Sequence, residues 1–140
     1  VYSNADAGGQ LINQRITEVS ELLPCISTYP NLSRRDFLGL MNACSVMVGN
    51  SSAGIVELPS FKKPFVCVGT RQKGRLKAKN VLEVEARKSD IIDAIQTSIH
   101  DEDFKRELQR LENPYGDGRC SLRVCRIIQM ILEKPNDRDK

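Results

Sequence analysis

Two short blocks of this sequence carry residue types able to hold a phosphate-bearing ligand. The first is Gly49-Asn50-Ser51-Ser52-Ala53-Gly54-Ile55-Val56-Glu57, preceded by the apolar run Ser45-Val46-Met47-Val48. The second is the apolar run Pro64-Phe65-Val66-Cys67-Val68-Gly69, followed by Thr70-Arg71-Gln72-Lys73-Gly74-Arg75. The order is strand, small polar loop, helix start, strand and cations. Backbone N–H groups and the dipole at a helix start favour an anion. Ligands in open α/β sheets bind beyond the carboxyl ends of the strands. The pattern predicts a nucleotide or nucleotide-sugar site.

Each residue in these blocks also has a plainer role open to it. Serine is a favoured N-cap, worth about 1 kcal/mol, so Ser51 or Ser52 alone would be read that way. Two in succession after Gly49-Asn50, with only Ala53 and Gly54 behind them, favour ligand contact. Large side chains there would keep phosphate oxygens away from the N–H groups. A helix starting near Ser52 carries Glu57 about 7–8 Å along its axis, at ~1.5 Å per residue. That matches the span from a nucleotide's phosphates to its ribose, whose vicinal hydroxyls suit the two acceptor oxygens of a carboxylate. The alternative is a solvated surface acid. Arg71 follows a strand end, where a guanidinium can meet phosphate oxygens as a fork. A second small-residue loop, Asn4-Ala5-Asp6-Ala7-Gly8-Gly9, would suit the other side of a cleft, with Asn4 nearest the strand. Its Asn, Asp and Gly are also ordinary turn residues, and Asp6 could simply cap the following helix.

The elements needed to position these residues are legible in the hydrophobic pattern. Ile12, Ile16, Val19 and Leu23 are spaced for an amphipathic helix over 10–23, which Pro24 stops. Cys25 to Tyr29 reads as a short strand. Ser33-Arg34-Arg35-Asp36 resembles a capping box that opens a helix with Phe37, Leu40, Met41 and Cys44 on one face. Strand 45–48, a helix from about Ser51 to Leu58, strand 64–68 and strand 81–84 follow. Ser89 or Asp90 caps a helix with Ile91, Ile95 and Ile99 inward. Asp101 opens another with Phe104, Leu108 and Leu111. The turn-rich Asn113-Pro114-Tyr115-Gly116-Asp117-Gly118 separates it from a last helix, about 121–133, with Val124, Ile128 and Ile131 in one stripe. Alternating short apolar runs and helical patterns predict an α/β fold: a Rossmann-like parallel sheet with helices on both faces.

Composition narrows the function classes. One hundred and forty residues make one ordinary domain, and 40% hydrophobic residues suit a soluble one. The chain opens on Val1-Tyr2-Ser3-Asn4, which reads as the end of a strand, so the expectation is a piece of a longer protein. The net charge of +3 is mild, but Lys62, Lys63, Arg71, Lys73, Arg75, Lys77 and Lys79 fall together with no acid between them. Aromatic residues are only 5% and none alternates with these cations, which disfavours a nucleic-acid platform. No apolar run approaches the ~20 residues that cross a membrane. Five cysteines form no C-x-x-C pair; Cys44 borders an apolar strand and Cys67 lies inside one, so they suit buried thiols in a reducing, cytoplasmic compartment. With His100 the only histidine, neither a zinc site nor a Ser-His-Asp triad is expected.

At these residues the sequence resembles the UDP-N-acetylglucosamine 2-epimerase family. The resemblance runs from Ser3-Asn4-Ala5-Asp6-Ala7-Gly8 through Gly49-Asn50-Ser51-Ser52, Glu57 and Pro64. It continues with Gly69-Thr70-Arg71-Gln72-x-Gly74-Arg75 and Asn80-Val81-Leu82, and ends at Asn113-Pro114-Tyr115-Gly116-Asp117-Gly118. The Asn-Ser-Ser and Gly-Thr-Arg-Gln forms look closer to the hydrolysing branch, although Val56 matches the residue usual before the Glu in neither branch. The resemblance implies the second domain of a GT-B-type plan, two Rossmann-like domains with the active site between them. It would place UDP phosphates on Ser51 and Ser52, ribose on Glu57, and other parts of the nucleotide on Asn4 and Arg71. No catalytic residue of the family, no cofactor and no metal is implied for this chain. The implied partners are UDP or UDP-N-acetylglucosamine and the first domain of the same protein, with room for a homo-oligomer. A glycosyltransferase half of the same plan, or a nucleotide-sugar-binding domain without chemistry, stays open beside it.

Overall fold

The computed structural model describes residues 1–2 and 8–133, and the chain divides into two compact units, Val1–Ala43 and Cys44–Lys140.

In the first unit, helix α1 (Gly9–Leu22) and helix α2 (Arg34–Ala43) match the two amphipathic patterns. Ser33 caps the helix: the Asp36 N–H donates to Ser33 Oγ at 3.1 Å, which is the N-cap half of a capping box, and that hydroxyl donates to Asp36 Oδ2 at 2.6 Å. Met41 is the buried member of the α2 stripe, while Leu40, Ile12 and Leu23 stay exposed. The strand expected over Cys25–Tyr29 is not formed. The segment is irregular, and among the described residues its one backbone bond to the start of the chain is the Tyr2 N–H donated to Tyr29 O at 3.1 Å. A strand needs a run of ladder bonds, and Val1–Tyr2 supplies only this one.

The second unit holds the sheet. Strands β1 (Met47–Gly49), β2 (Phe65–Val68) and β3 (Val81–Val84) lie in that order and run parallel. Met47 pairs with Phe65 and Gly49 with Cys67; Phe65 pairs with Val81 and Val68 with Val84. Successive strand residues face opposite sides, and Phe65, Val66 and Cys67 are all fully buried, so the central strand is covered on both faces. Helix α4 (Lys88–His100) packs on β2 and β3. It meets them through small residues, Ala94 and Ser98 being its buried positions, with the predicted Ile91, Ile95 and Ile99 half-buried beside them.

Helix α5 (Glu102–Gln109) opens as the sequence predicts, with Asp101 Oδ1 accepting the Phe104 N–H at 2.9 Å. Helix α6 (Cys120–Leu132) carries its expected apolar stripe, but Val124, Ile128 and Ile131 are exposed. Among the described residues no helix is long and apolar enough to cross a membrane.

The helix expected over 51–58 is shorter and breaks in two. Helix α3 spans Ala53–Val56, and a 3-10 turn, Leu58–Phe61, continues from it. Pro59 is the cause: it has no N–H to donate four residues back, so α-helical bonding cannot pass it. The Glu57 N–H still donates to Ala53 O at 3.0 Å, which leaves Glu57 as the last residue of α3's column.

Candidate functional site

Because β1 and β2 are parallel neighbours in register, the loops that leave them emerge side by side at the carboxyl edge of the sheet. One loop carries Asn50, Ser51 and Ser52 into α3. The other leaves β2 at Gly69, whose φ of +78° is a conformation that favours glycine. It then turns through Thr70–Lys73, with the Lys73 N–H donating to Thr70 O at 2.9 Å. The sequence places both loops at one edge, and the structure agrees.

The two serines divide the roles left open to them. Ser51 takes the capping one: its Oγ accepts the Ala53 N–H at 3.3 Å and its carbonyl accepts the Gly54 N–H at 3.3 Å. Ser52 is exposed, and its carbonyl receives the Ile55 and Val56 N–H groups at 3.0 and 2.9 Å. Neither the Ser51 nor the Ser52 N–H donates to another described residue. Two backbone donors and one hydroxyl therefore remain for an anion at this edge. With α3 only four residues long, its dipole adds little, and the individual N–H groups must do the binding.

The small residues behind the serines serve packing rather than ligand access. Ala53 and Gly54 are both buried. A Cβ at Gly54 would stand 2.5 Å from the Phe65 ring, so the glycine lets α3 lie directly on β2. Fixed in this way, the one-turn helix holds Glu57 half-buried and Ser52 exposed at its two ends.

Arg71 is exposed on the second loop. The basic segment around it separates into two groups. Lys62 Nζ donates to Gln109 O, Lys79 pairs with Glu107, and Lys77 Nζ lies 3.0 Å from Glu83 Oε1. These three are engaged elsewhere. Lys73 and Arg75 are exposed and make no ion pair with a described residue. Asn4 and Asp6 lie outside the described residues, so of the five proposed binding residues the structure brings together Ser51, Ser52, Glu57 and Arg71 in one unit.

Several residues that hold the loops and α3 in place have no role assigned by the sequence reading. Gln72 Nε2 donates to Asn50 O at 2.7 Å and joins the two loops. Asn80 is fully buried, and its Nδ2 reaches Gly54 O at 3.3 Å and Lys63 O at 3.1 Å, tying α3 to the entry of β2. Asn113 Nδ2 donates to Val56 O at 2.9 Å and to Ser60 Oγ at 2.8 Å, next to Glu57. Tyr115 completes the strap, its hydroxyl donating to Leu76 O at 3.0 Å. The signal available was a neutral amide among cations (Gln72) and an Asn immediately before an apolar run (Asn80). The turn-rich 113–118 block reads in the sequence as a loop and as a motif of the resemblance, with no role given to Asn113 or Tyr115.

Burial pushes the Cys67 thiol up, the Glu83 carboxylate adds to that rise and Lys77 opposes it. Cys44 is likewise raised by burial, against the pull of Lys63. Thiols in such surroundings are inert at neutral pH. All five cysteines are free, and among the described residues no cluster of His, Cys, Asp or Glu could hold a metal ion.

Comparison with known proteins gives the family. The family model described as UDP-N-acetylglucosamine 2-epimerase matches residues 1–129. "Polysialic acid biosynthesis protein P7" of Escherichia coli is 30% identical over 136 residues, 97% of this chain and 34% of that protein. "UDP-N,N'-diacetylbacillosamine 2-epimerase (hydrolyzing)" of Legionella pneumophila is 35% identical over 128 residues, 91% of this chain and 32% of the relative. "UDP-N-acetylglucosamine 2-epimerase" of Neisseria meningitidis serogroup B is 35% identical over 96 residues, 69% of this chain and 25% of the relative. The chain thus spans about a third of the length of the first two of these curated relatives. With a parallel α/β sheet, the Ser51–Ser52 and Arg71 loops at one edge, and a match over almost its full length, the chain belongs to the UDP-N-acetylglucosamine 2-epimerase family.

Proposed function

We propose that this chain is the UDP-binding half of a UDP-N-acetylglucosamine 2-epimerase of the hydrolysing kind, which releases UDP and free N-acetylmannosamine. The observation that carries the binding role is the pairing of β1 with β2. It puts the unused Ser51 and Ser52 N–H groups, Glu57 and the exposed Arg71 on adjacent loops. The N–H groups and the Ser52 hydroxyl donate to the diphosphate oxygens, Arg71 neutralises their charge, and Glu57 accepts from the ribose hydroxyls; Asn4 is a further nucleotide contact in this reading. The hydrolysing assignment is supported by the Gly69-Thr70-Arg71-Gln72 block and by relatives whose names carry that word.

The chemistry needs groups this chain does not supply. Proton removal at the sugar C2 and departure of UDP require an acid and a base within hydrogen-bond reach of the substrate. In the proposed two-domain arrangement they come from the other domain. The 140 residues alone should therefore release no UDP from UDP-N-acetylglucosamine, and release above a blank would refute this division of labour. Five free thiols fit a reducing, cytoplasmic setting.

The test of the site is Glu57→Gln, which keeps the shape and removes the charge. Charge-assisted hydrogen bonds are worth about 1.5–3 kcal/mol, and about 1.4 kcal/mol is tenfold in affinity. UDP affinity should fall about tenfold or more, while inorganic pyrophosphate, which has no ribose, should bind as before or better. Unchanged UDP affinity with an unaltered melting curve would make Glu57 an ordinary surface acid.

A further inference from the structure

Gln72 is 3% exposed, although Arg71, Lys73, Gly74 and Arg75 around it are all exposed. The turn closed by Lys73 N–H to Thr70 O holds Gln72 inward while Arg71 stays at the surface. The inward amide gives its Nε2 to the Asn50 carbonyl at 2.7 Å. Its Oε1 is buried and has no hydrogen-bond partner among the described residues. The amide has one workable orientation, because reversing it would set Oε1 against the Asn50 oxygen.

This combination separates position from stability. A buried acceptor without a donor opposes folding by about as much as one good hydrogen bond favours it. Leucine in the same volume would remove the bond and the burden together. What Gln72 contributes is therefore the location of Asn50, the residue directly before the Ser51 and Ser52 N–H groups.

We propose that Gln72 is the positioning residue of the phosphate site, locking loop 49–52 to loop 69–75 and so setting the spacing between the Ser51–Ser52 donors and the Arg71 guanidinium. The inference rests on the UDP-binding reading above. A diphosphate is recognised by donors on both loops at once, and an error of an ångström in their separation costs contacts on one side.

The experiment titrates the chain with UDP and with inorganic pyrophosphate, followed by NMR, for the wild type, Gln72→Leu and Gln72→Glu. Gln72→Leu should bind both ligands about three- to tenfold more weakly, with a melting temperature unchanged or higher. Gln72→Glu should gain a pH dependence relative to the wild type at each pH. Its protonated carboxyl donates to Asn50 O at low pH and restores affinity. Its carboxylate, facing that carbonyl, lowers affinity once ionised. Wild-type affinity in Gln72→Leu would overturn the proposal and leave the UDP site standing. So would a loss matched by a fall in melting temperature, or no recovery of Gln72→Glu at low pH. If the wild type binds neither ligand, the UDP reading fails and this inference falls with it.

Discussion

Beside α5, toward the amino edge of the sheet, lies a groove of about 890 Å3, lined by residues that include Lys79, Asp101, Phe104, Glu107 and Arg110. Four basic and four acidic side chains line it, and two pairs are joined within it: Lys79 with Glu107 and Arg106 with Asp103. The carboxyl edge differs in kind. Among the described residues, two backbone donors there are unused, Lys73 and Arg75 have no acidic partner, and the buried Gln72 Oε1 goes unmet. Concavity alone would choose the groove. The Ser51 and Ser52 N–H groups choose the other edge, since they offer a ligand's phosphate oxygens donors on a loop beside the one that carries Arg71.

The largest effect expected at the carboxyl edge comes from beneath it. Glycine to alanine inside a helix ordinarily stabilises by roughly 0.5–1 kcal/mol. At Gly54 the added Cβ would stand 2.5 Å from the Phe65 ring in the fully buried β2. Overpacking of this kind costs about 1–3 kcal/mol, so the sign should reverse. Gly54→Ala is expected to lower the melting temperature by several degrees, measured by calorimetry. An equal or raised melting temperature would mean that α3 is free to shift on the sheet, and the loop geometry with it.

The next effect sets the two edges directly against each other. Arg71→Ala should weaken UDP binding by about tenfold, the size of one charge-assisted contact. Lys79→Ala, which removes the same charge from a residue paired with Glu107, should leave UDP affinity within about twofold, the range of a screened surface charge. Titration of the two variants in one buffer decides it. Equal losses would show that the basic segment acts as a diffuse positive field, and the distinction between the edges would dissolve.

These contrasts also mark what the sequence alone could carry. Strand β3 coincides with the predicted 81–84, and α5 begins at the predicted Asp101 cap, because periodicity and capping are local signals. Pro59 was visible in the sequence, yet the helix was drawn only one residue short of it. The proline acts through the hydrogen bond it cannot make, which ends α3 at Val56. Gly54 looked like an opening for ligand oxygens and is instead the contact face for Phe65, a partner eleven residues away that no local pattern names. Gln72 lay within a block used only as a signature. Its meaning depends on the Asn50 carbonyl twenty-two residues earlier, and only the parallel pairing of β1 and β2 brings the two together.

The smallest effect concerns the strap that follows the site. Asp117 accepts two hydrogen bonds from Arg123, at 2.9 and 2.6 Å, and a third from the Arg119 N–H at 3.0 Å. The Arg123 hydrogen bond, before all else, lowers the Asp117 pKa below the ordinary carboxylate value, and the Arg119 amide adds to it. A folded-state pKa below the unfolded one means that the unfolded chain binds the proton more readily. The stabilisation is therefore full above pH about 4, the unperturbed carboxylate value, and is lost as the pH falls through the lowered folded value. The group is fully exposed, so salt screens the pair and the effect is small. Asp117→Asn should lower the melting temperature slightly at neutral pH and low salt, and the gap to the wild type should close both in high salt and at acid pH. Asp90, held by Arg87 at 2.9 Å and likewise lowered, titrates in the same direction and serves as the control, since it survives in Asp117→Asn. A gap that stays constant from neutral to acid pH would show that Asp117 works through the shape of the Gly116-Asp117-Gly118 turn. The strap would then be held by Asn113 and Tyr115 without help from the Asp117 charge.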